Sequence, residues 1–87
     1  MAQAENVVRI TLTSGLGQYC GGATTLECEA RTVGQLFRTL EERFPDLRPH
    51  IEQGLAVAIN GEMYQDALLQ PIPAGSEVHL LPRIAGG

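Results

Sequence analysis

The sequence predicts an α+β fold, a mixed β-sheet with one main helix packed across one face. Three observations carry that expectation. Two alternating runs are joined by a short glycine-rich stretch, one segment of helical period starts on a capping signal, and short strand-like runs fill the rest. At 87 residues the chain has the length of one domain, expected over residues 1–82 with a flexible tail over 83–87.

Each element has a local cause. Val7 to Thr13 alternates, with Val8, Ile10 and Leu12 on one face and Val7, Arg9 and Thr11 on the other. Ser14 to Gly22 holds four glycines and is expected to be a loop. Thr24 to Ala30 alternates again, Leu26, Cys28 and Ala30 pointing inward, so the two runs read as an antiparallel hairpin. Thr32 followed by Gln35 fits a capping box. Val33, Leu36, Phe37, Leu40 and Phe44 then recur at helical spacing until Pro45 stops the helix.

Asp46 to Gln53 is expected to be irregular, with a short turn near Pro49–Glu52. Leu55 to Ile59 is a continuous apolar run, as in a strand buried in mid-sheet. Asn60-Gly61 signals a type I′ turn into a short return strand, Glu62–Tyr64. After a turn-rich connector, Glu77 to Leu81 alternates, Val78 and Leu80 inward, His79 and Leu81 outward. Hairpin, crossing helix and returning strands together give the order of a β-grasp, the ubiquitin-like arrangement.

Composition narrows the function classes. Hydrophobic residues make up 44% and charged residues 18%, the balance of a folded globule rather than a disordered chain. No apolar run approaches the roughly 20 residues of a membrane span, and the first residues lack a signal-peptide layout, so a cytoplasmic protein with no membrane partner is expected. Ten acids against six scattered arginines give a net charge of −4, the wrong sign for a nucleic-acid binder. There is no lysine, hence no side-chain amine to accept an acyl group. Two cysteines cannot complete a four-ligand metal site.

No internal catalytic constellation emerges. Ser14 and Ser76 sit in turn contexts, His79 faces outward on a strand, and Glu62 and Asp66 lie near a turn where acids serve local hydrogen bonds. Gly15-Leu16-Gly17 lacks both a helix directly behind it and a following G-K-[ST], so it is no phosphate loop. Cys28 reads as a core residue, whereas Cys20, in the glycine-rich loop, is expected to be open to solvent.

The end of the chain carries the chemical signal. Gly86-Gly87 follows a strand and Pro82, so the last five residues should project from the body. Extended, they reach about 16–18 Å. Two residues without Cβ can thread a channel too narrow for other side chains, and a terminal carboxylate at the tip is a handle for another protein's active site.

These residues resemble a family. Leu40-Glu41-Glu42-Arg43-Phe44-Pro45, Ala58-Ile59-Asn60-Gly61-Glu62, and Pro73 to Pro82 leading into Ala85-Gly86-Gly87 are similar to the ubiquitin-like sulfur carriers of the MoaD/ThiS group. That group includes the small subunit of molybdopterin synthase. Its molybdopterin-type tails resemble Pro-Pro-Val-Ser-Gly-Gly, whereas Arg83 and Ala85 here replace the second proline and the serine.

The resemblance implies a carrier, not an enzyme. An E1-like adenylating partner would use ATP and Mg²⁺ to activate the Gly87 carboxylate, and sulfur would convert it to a thiocarboxylate for a sulfur-accepting synthase. No cofactor or metal would be bound by this chain. Arg83, Ile84, Ala85 and Gly86 would occupy the partner's channel, and Arg9, His79 and Leu81 would form the partner surface on the sheet face away from the helix. A protein modifier joined through Gly87, and a non-catalytic β-grasp interaction module, fit the same residues.

Overall fold

The fold is seen in a computed structural model that describes residues 6–13 and 15–82. The expected tail residues Arg83, Ile84, Ala85, Gly86 and Gly87, and Ser14, lie outside the described residues.

Alternation resolves into a five-stranded sheet. Strand β1 (Val7–Leu12) buries Val8, Ile10 and Leu12 and turns Arg9 to solvent. It pairs antiparallel with β2 (Thr25–Glu29), Val8 opposite Cys28 and Ile10 opposite Leu26. Strands β3 (Leu55–Ile59), β4 (Glu62–Tyr64) and β5 (Glu77–Pro82) complete the order β2-β1-β5-β3-β4. The first and last strands lie side by side in parallel, while β3 runs antiparallel to both of its neighbours. Asn60 and Gly61 have φ of 50° and 95°, the paired positive angles a type I′ turn requires between β3 and β4.

Helix α1 (Val33–Arg43) crosses the face lined by Val8, Ile10, Val78 and Leu80, burying Val33, Leu36, Phe37 and Leu40 in the common core. Full burial of each leucine contributes roughly 1.5–3 kcal/mol. Its first turn leaves no free amide. Val33 and Gly34 donate to the carbonyls of Gln70 and Leu68 at 3.0 and 2.9 Å, and Gln35 donates to Thr32 Oγ1 at 3.2 Å. The capping box closes one residue earlier than the standard motif, because Gln35 Oε1 accepts from the amide of Arg31 at 2.8 Å. Gly34 is needed for this seam, since a Cβ there would stand 3.1 Å from the Leu68 carbonyl oxygen.

Two segments depart from expectation. Residues 46–53 are ordered, as a 3-10 helix Pro45–Leu47 followed by α2 (Arg48–Gln53). Pro45 ends α1 as expected, and Pro45 and Pro49 each sit in the first turn of the short helices that follow, where a missing amide costs nothing. The glycine-rich stretch is not simply a loop either: Leu16–Cys20 forms a 3-10 helix that buries Leu16 and Cys20. No helix among the described residues is long and apolar enough to cross a membrane.

Leu40→Ala should lower the unfolding free energy by about 2–5 kcal/mol, and Thr32→Ala by about 1 kcal/mol. Urea denaturation checks both. Midpoints that fall in that order with an unchanged slope are expected, and equal midpoints would contradict the packing described.

Candidate functional site

Topology decides what surrounds the end of β5. Because β1 and β5 are parallel, their C-terminal ends lie at one sheet end. Thr13 locks that junction, its amide and its Oγ1 both donating to the Leu80 carbonyl at 3.2 and 2.7 Å. Strand β3 starts at the same end, Leu55 opposite Pro82, and α2 leads into it through Gly54. The 3-10 helix that follows β1, the C-terminus of α2 and the exit of β5 therefore converge there.

Between them lies a cavity of about 240 Å³. Buried Leu16 and Leu55 lie at its base, exposed Gln18, Gln53 and Pro82 at its rim, and Tyr19 and His50 form a wall. The two rings pack with centroids 4.2 Å apart and planes inclined at 36°. Glycine holds this wall in shape. Gly15 and Gly21, flanking the 3-10 helix, have φ of 80° and 70°, and a Cβ on Gly17 would collide with the backbone carbonyl of Ala23.

Cys20 is 3% exposed and belongs to the core, which corrects the expectation of an open thiol. The loop curls into a 3-10 turn whose apolar positions i and i+4 both face the core, a register that glycine content alone conceals. Burial pushes the thiols of Cys20 and Cys28 above their ordinary value of 9.0, the Arg43 guanidinium opposing it with the smaller effect. Neither thiol is primed as a nucleophile. Ser76 is likewise occupied: its buried hydroxyl donates to the Pro73 carbonyl at 2.6 Å and accepts from Asn60 Nδ2 at 3.2 Å. The 3-10 helix begins directly behind Gly15, contrary to expectation, but a single turn lacks the dipole of a phosphate-binding helix. Among the described residues no three of His, Cys, Asp and Glu gather to hold a metal ion.

The sheet face opposite α1 carries the expected surface residues. Arg9 and His79 are exposed and Leu81 half-buried. Arg9 lies between Glu27 of β2 and Glu77 of β5, so its charge is set against two carboxylates in register. His79 lies between Thr11 and Ala58, and Leu81 beside Ala56, which makes the middle of this face shallow, with Met63 standing exposed at its β4 edge. Arg9 and Leu81 thus share a face but not a contact row. The tail residues 83–87 lie outside the described residues and are connected to the body through Pro82.

The ThiS family model matches residues 16–87. The chain belongs to the ThiS family. Curated protein sequences offer no match to it. Crystalline SAMP1 from Haloferax volcanii is 27% identical over 94% of this chain and 100% of its own, with a TM-score of 0.71. The BexX/CysO complex of Amycolatopsis orientalis matches at 22% identity, 92% and 99% coverage and a TM-score of 0.74. The complex of subunits 1 and 2 of molybdopterin-converting factor from Helicobacter pylori matches at 22% identity, 93% and 99% coverage and a TM-score of 0.67. The ThiS-family chain therefore has the β-grasp fold expected from its element order, and it groups with small ubiquitin-like sulfur carriers and modifiers.

The cavity of this ThiS-family chain has no signature in its local sequence. Neither Tyr19 nor His50 carries a local signal of their meeting, which depends on which strands pair. What the local sequence does show is the clustering of Gly15, Gly17, Gly21 and Gly22 around one aromatic residue, a pattern of tight backbone turns rather than of a slack linker.

The thiols set a pH dependence. In the unfolded chain they ionise near 9.0, while the folded chain holds its protons to higher pH. Folding stability is then fully present below 9.0 and falls as pH rises through and beyond that value. Tyr64, whose hydroxyl donates to Glu62 at 2.8 Å, is pushed above its ordinary 10.0 and acts with the same sign. Thermal melts should show a Tm lower at pH 10 than at pH 8, with the difference reduced in a Cys20→Ala/Cys28→Ala variant. An undiminished difference in that variant would remove the thiols from the explanation.

Proposed function

We propose that the chain is a sulfur carrier whose C-terminal Gly87 carboxylate is adenylated and then converted to a thiocarboxylate. The observation that carries the reading is the family match, which runs through Gly86-Gly87 on a β-grasp whose last strand leads directly into that segment. A carboxylate resists displacement of its oxygen. An E1-like partner using ATP and Mg²⁺ forms the acyl-adenylate and releases pyrophosphate. Sulfide attacks the carbonyl carbon, AMP leaves, and Gly87 ends as a thiocarboxylate. ATP, Mg²⁺ and the catalytic groups belong to the partner, so the chain is a co-substrate with no cofactor of its own.

Arg83, Ile84, Ala85 and Gly86 thread the partner's channel in this reading, and Arg9, His79 and Leu81 contribute the docking face. The adjacency of exposed charge to a shallow, small-residue sheet centre supports that use. A sulfur-accepting synthase of the molybdopterin type is the favoured recipient, supported by the Pro73–Pro82 run quoted above and by the assembly of the Helicobacter pylori subunits with one another. A second reading, conjugation of Gly87 to lysines of other proteins, is favoured by the likeness to SAMP1, a small archaeal modifier protein.

Intact mass spectra before and after incubation with an E1-like enzyme, Mg-ATP and sulfide test the carrier reading. A gain equal to one oxygen exchanged for sulfur is expected in the wild type and not in a variant lacking Gly87. Adducts on lysine-bearing proteins without that exchange would favour the modifier instead, and no modification of either kind would leave an interaction module. Arg9→Glu should weaken carrier–partner association by about tenfold in a binding titration. Unchanged affinity would remove Arg9 from the interface.

A further inference from the structure

Neither the Gly87 chemistry nor docking on the sheet face engages the helix side of the molecule, where a groove of about 510 Å³ lies between α1 and α2. Its base is apolar, with Phe37 of α1, Ile51 of α2 and Leu55 at the start of β3. Leu68, from the connection between β4 and β5, adds an exposed leucine to the lining. Leu68 and its neighbour Leu69 are 53% and 89% exposed, an uncommon placement for two consecutive large apolar side chains. The backbone that carries them is pinned. Gly34 donates to the Leu68 carbonyl at 2.9 Å, Val33 to the Gln70 carbonyl at 3.0 Å, and Gln70 to the Ala67 carbonyl at 3.0 Å. The two leucines are therefore displayed by a fixed segment, which lowers the entropy lost when something covers them.

The charges around the groove set the sign of what fits. Glu41, Glu52 and Asp66 bring three carboxylates to the lining against the guanidinium of Arg38. Glu41 comes from α1 and Glu52 from α2, so acid stands on both helical walls. An apolar base between carboxylates favours an apolar side chain with Lys or Arg close beside it. A second copy of this chain is disfavoured, because its own net charge of −4 would be set against these acids. The same acidity repels nucleic acid and anionic membranes. The groove volume falls in the roughly 300–1,000 Å³ range of small-molecule pockets, but the apolar surface continues past the groove onto Leu69. That extent calls for a polypeptide segment rather than a molecule that fills one pocket.

We infer that this groove docks a basic, amphipathic segment of a partner protein. One apolar side chain of that segment sits over Phe37 and Leu55, and flanking Lys or Arg residues meet Glu41 and Glu52. The site is on the α1 side of the sheet, opposite the face that carries Arg9 and His79, so both surfaces can be occupied at once. It is independent of the fate of Gly87.

Random peptides displayed on phage and selected on the full 87-residue chain test it. Recovered peptides should carry Leu, Ile, Met or Phe with Lys or Arg within about one helical turn, and should bind more weakly as salt is raised. Glu52→Lys and Leu68→Ser, both at exposed positions, should each lower the affinity of the synthetic peptides about tenfold or more, with thermal melting retained. Arg9→Glu, on the opposite face, should leave that affinity unchanged. Peptides without basic residues, peptides indifferent to Glu52→Lys, or no binder that Leu68→Ser weakens would each overturn the inference. Tighter peptide binding by a chain lacking residues 83–87 would give the groove to the chain's own tail. A dimer in sedimentation that Leu68→Ser dissociates would give it to a second copy, and either result overturns the partner segment. The carrier reading is tested apart from all of these by the mass gain at Gly87, which Glu52→Lys should leave intact.

Discussion

The parallel pairing of β1 with β5 is the constraint on which the rest of the structure depends. It joins the first strand to the last, Ile10 to Val78 and Leu12 to Leu80, and puts the apolar sides of both beneath α1. A parallel pair needs a long crossover, and here the whole chain between them supplies it: hairpin return, helix, and the β3–β4 hairpin. Once the two strands are side by side, their ends are too. The exit of β5, from which the reactive tail departs in the carrier reading, sits in the middle of the sheet and is flanked by whatever follows β1 and precedes β3.

The second constraint is the start of α1. Helix N-termini carry amides with no partner inside the helix, and a buried one must find acceptors elsewhere. The segment from Leu68 to Ile72 supplies them as carbonyls, and the Ile72 amide returns a bond to the Arg31 carbonyl at 2.8 Å. One seam thus satisfies the helix and fixes the long connection between β4 and β5. With both ends of that connection held, β5 enters the sheet in a single register, and the direction in which Pro82 points is set.

A scaffold of this kind suits the proposed carrier role, in which the protein is acted upon. Ser76 is engaged in a turn, and the thiols of Cys20 and Cys28 lie in the core. In that role the chemistry would fall to the segment after Pro82, and the fold would contribute recognition through the sheet face that carries Arg9 and His79.

The strands, the main helix with its Thr32 cap, the Asn60-Gly61 turn and the family are legible in the sequence, because each of these is written in neighbouring residues. Period two, period 3.6 and paired positive φ angles are local properties of the chain. Short range also explains the misreadings. Residues 46–53 read as irregular because Pro45, which does end α1, and Pro49 also fit the first turns of the short helices that follow, and a proline looks alike in both settings. Cys20 read as exposed because glycine content says that the backbone turns but not toward what. The turn of Cys20 into the core and the meeting of Tyr19 with His50 beside Pro82 are set by long-range pairing. Those residues come from three separate stretches of chain, and nothing short of the β1–β5 pairing brings the stretches to one sheet end.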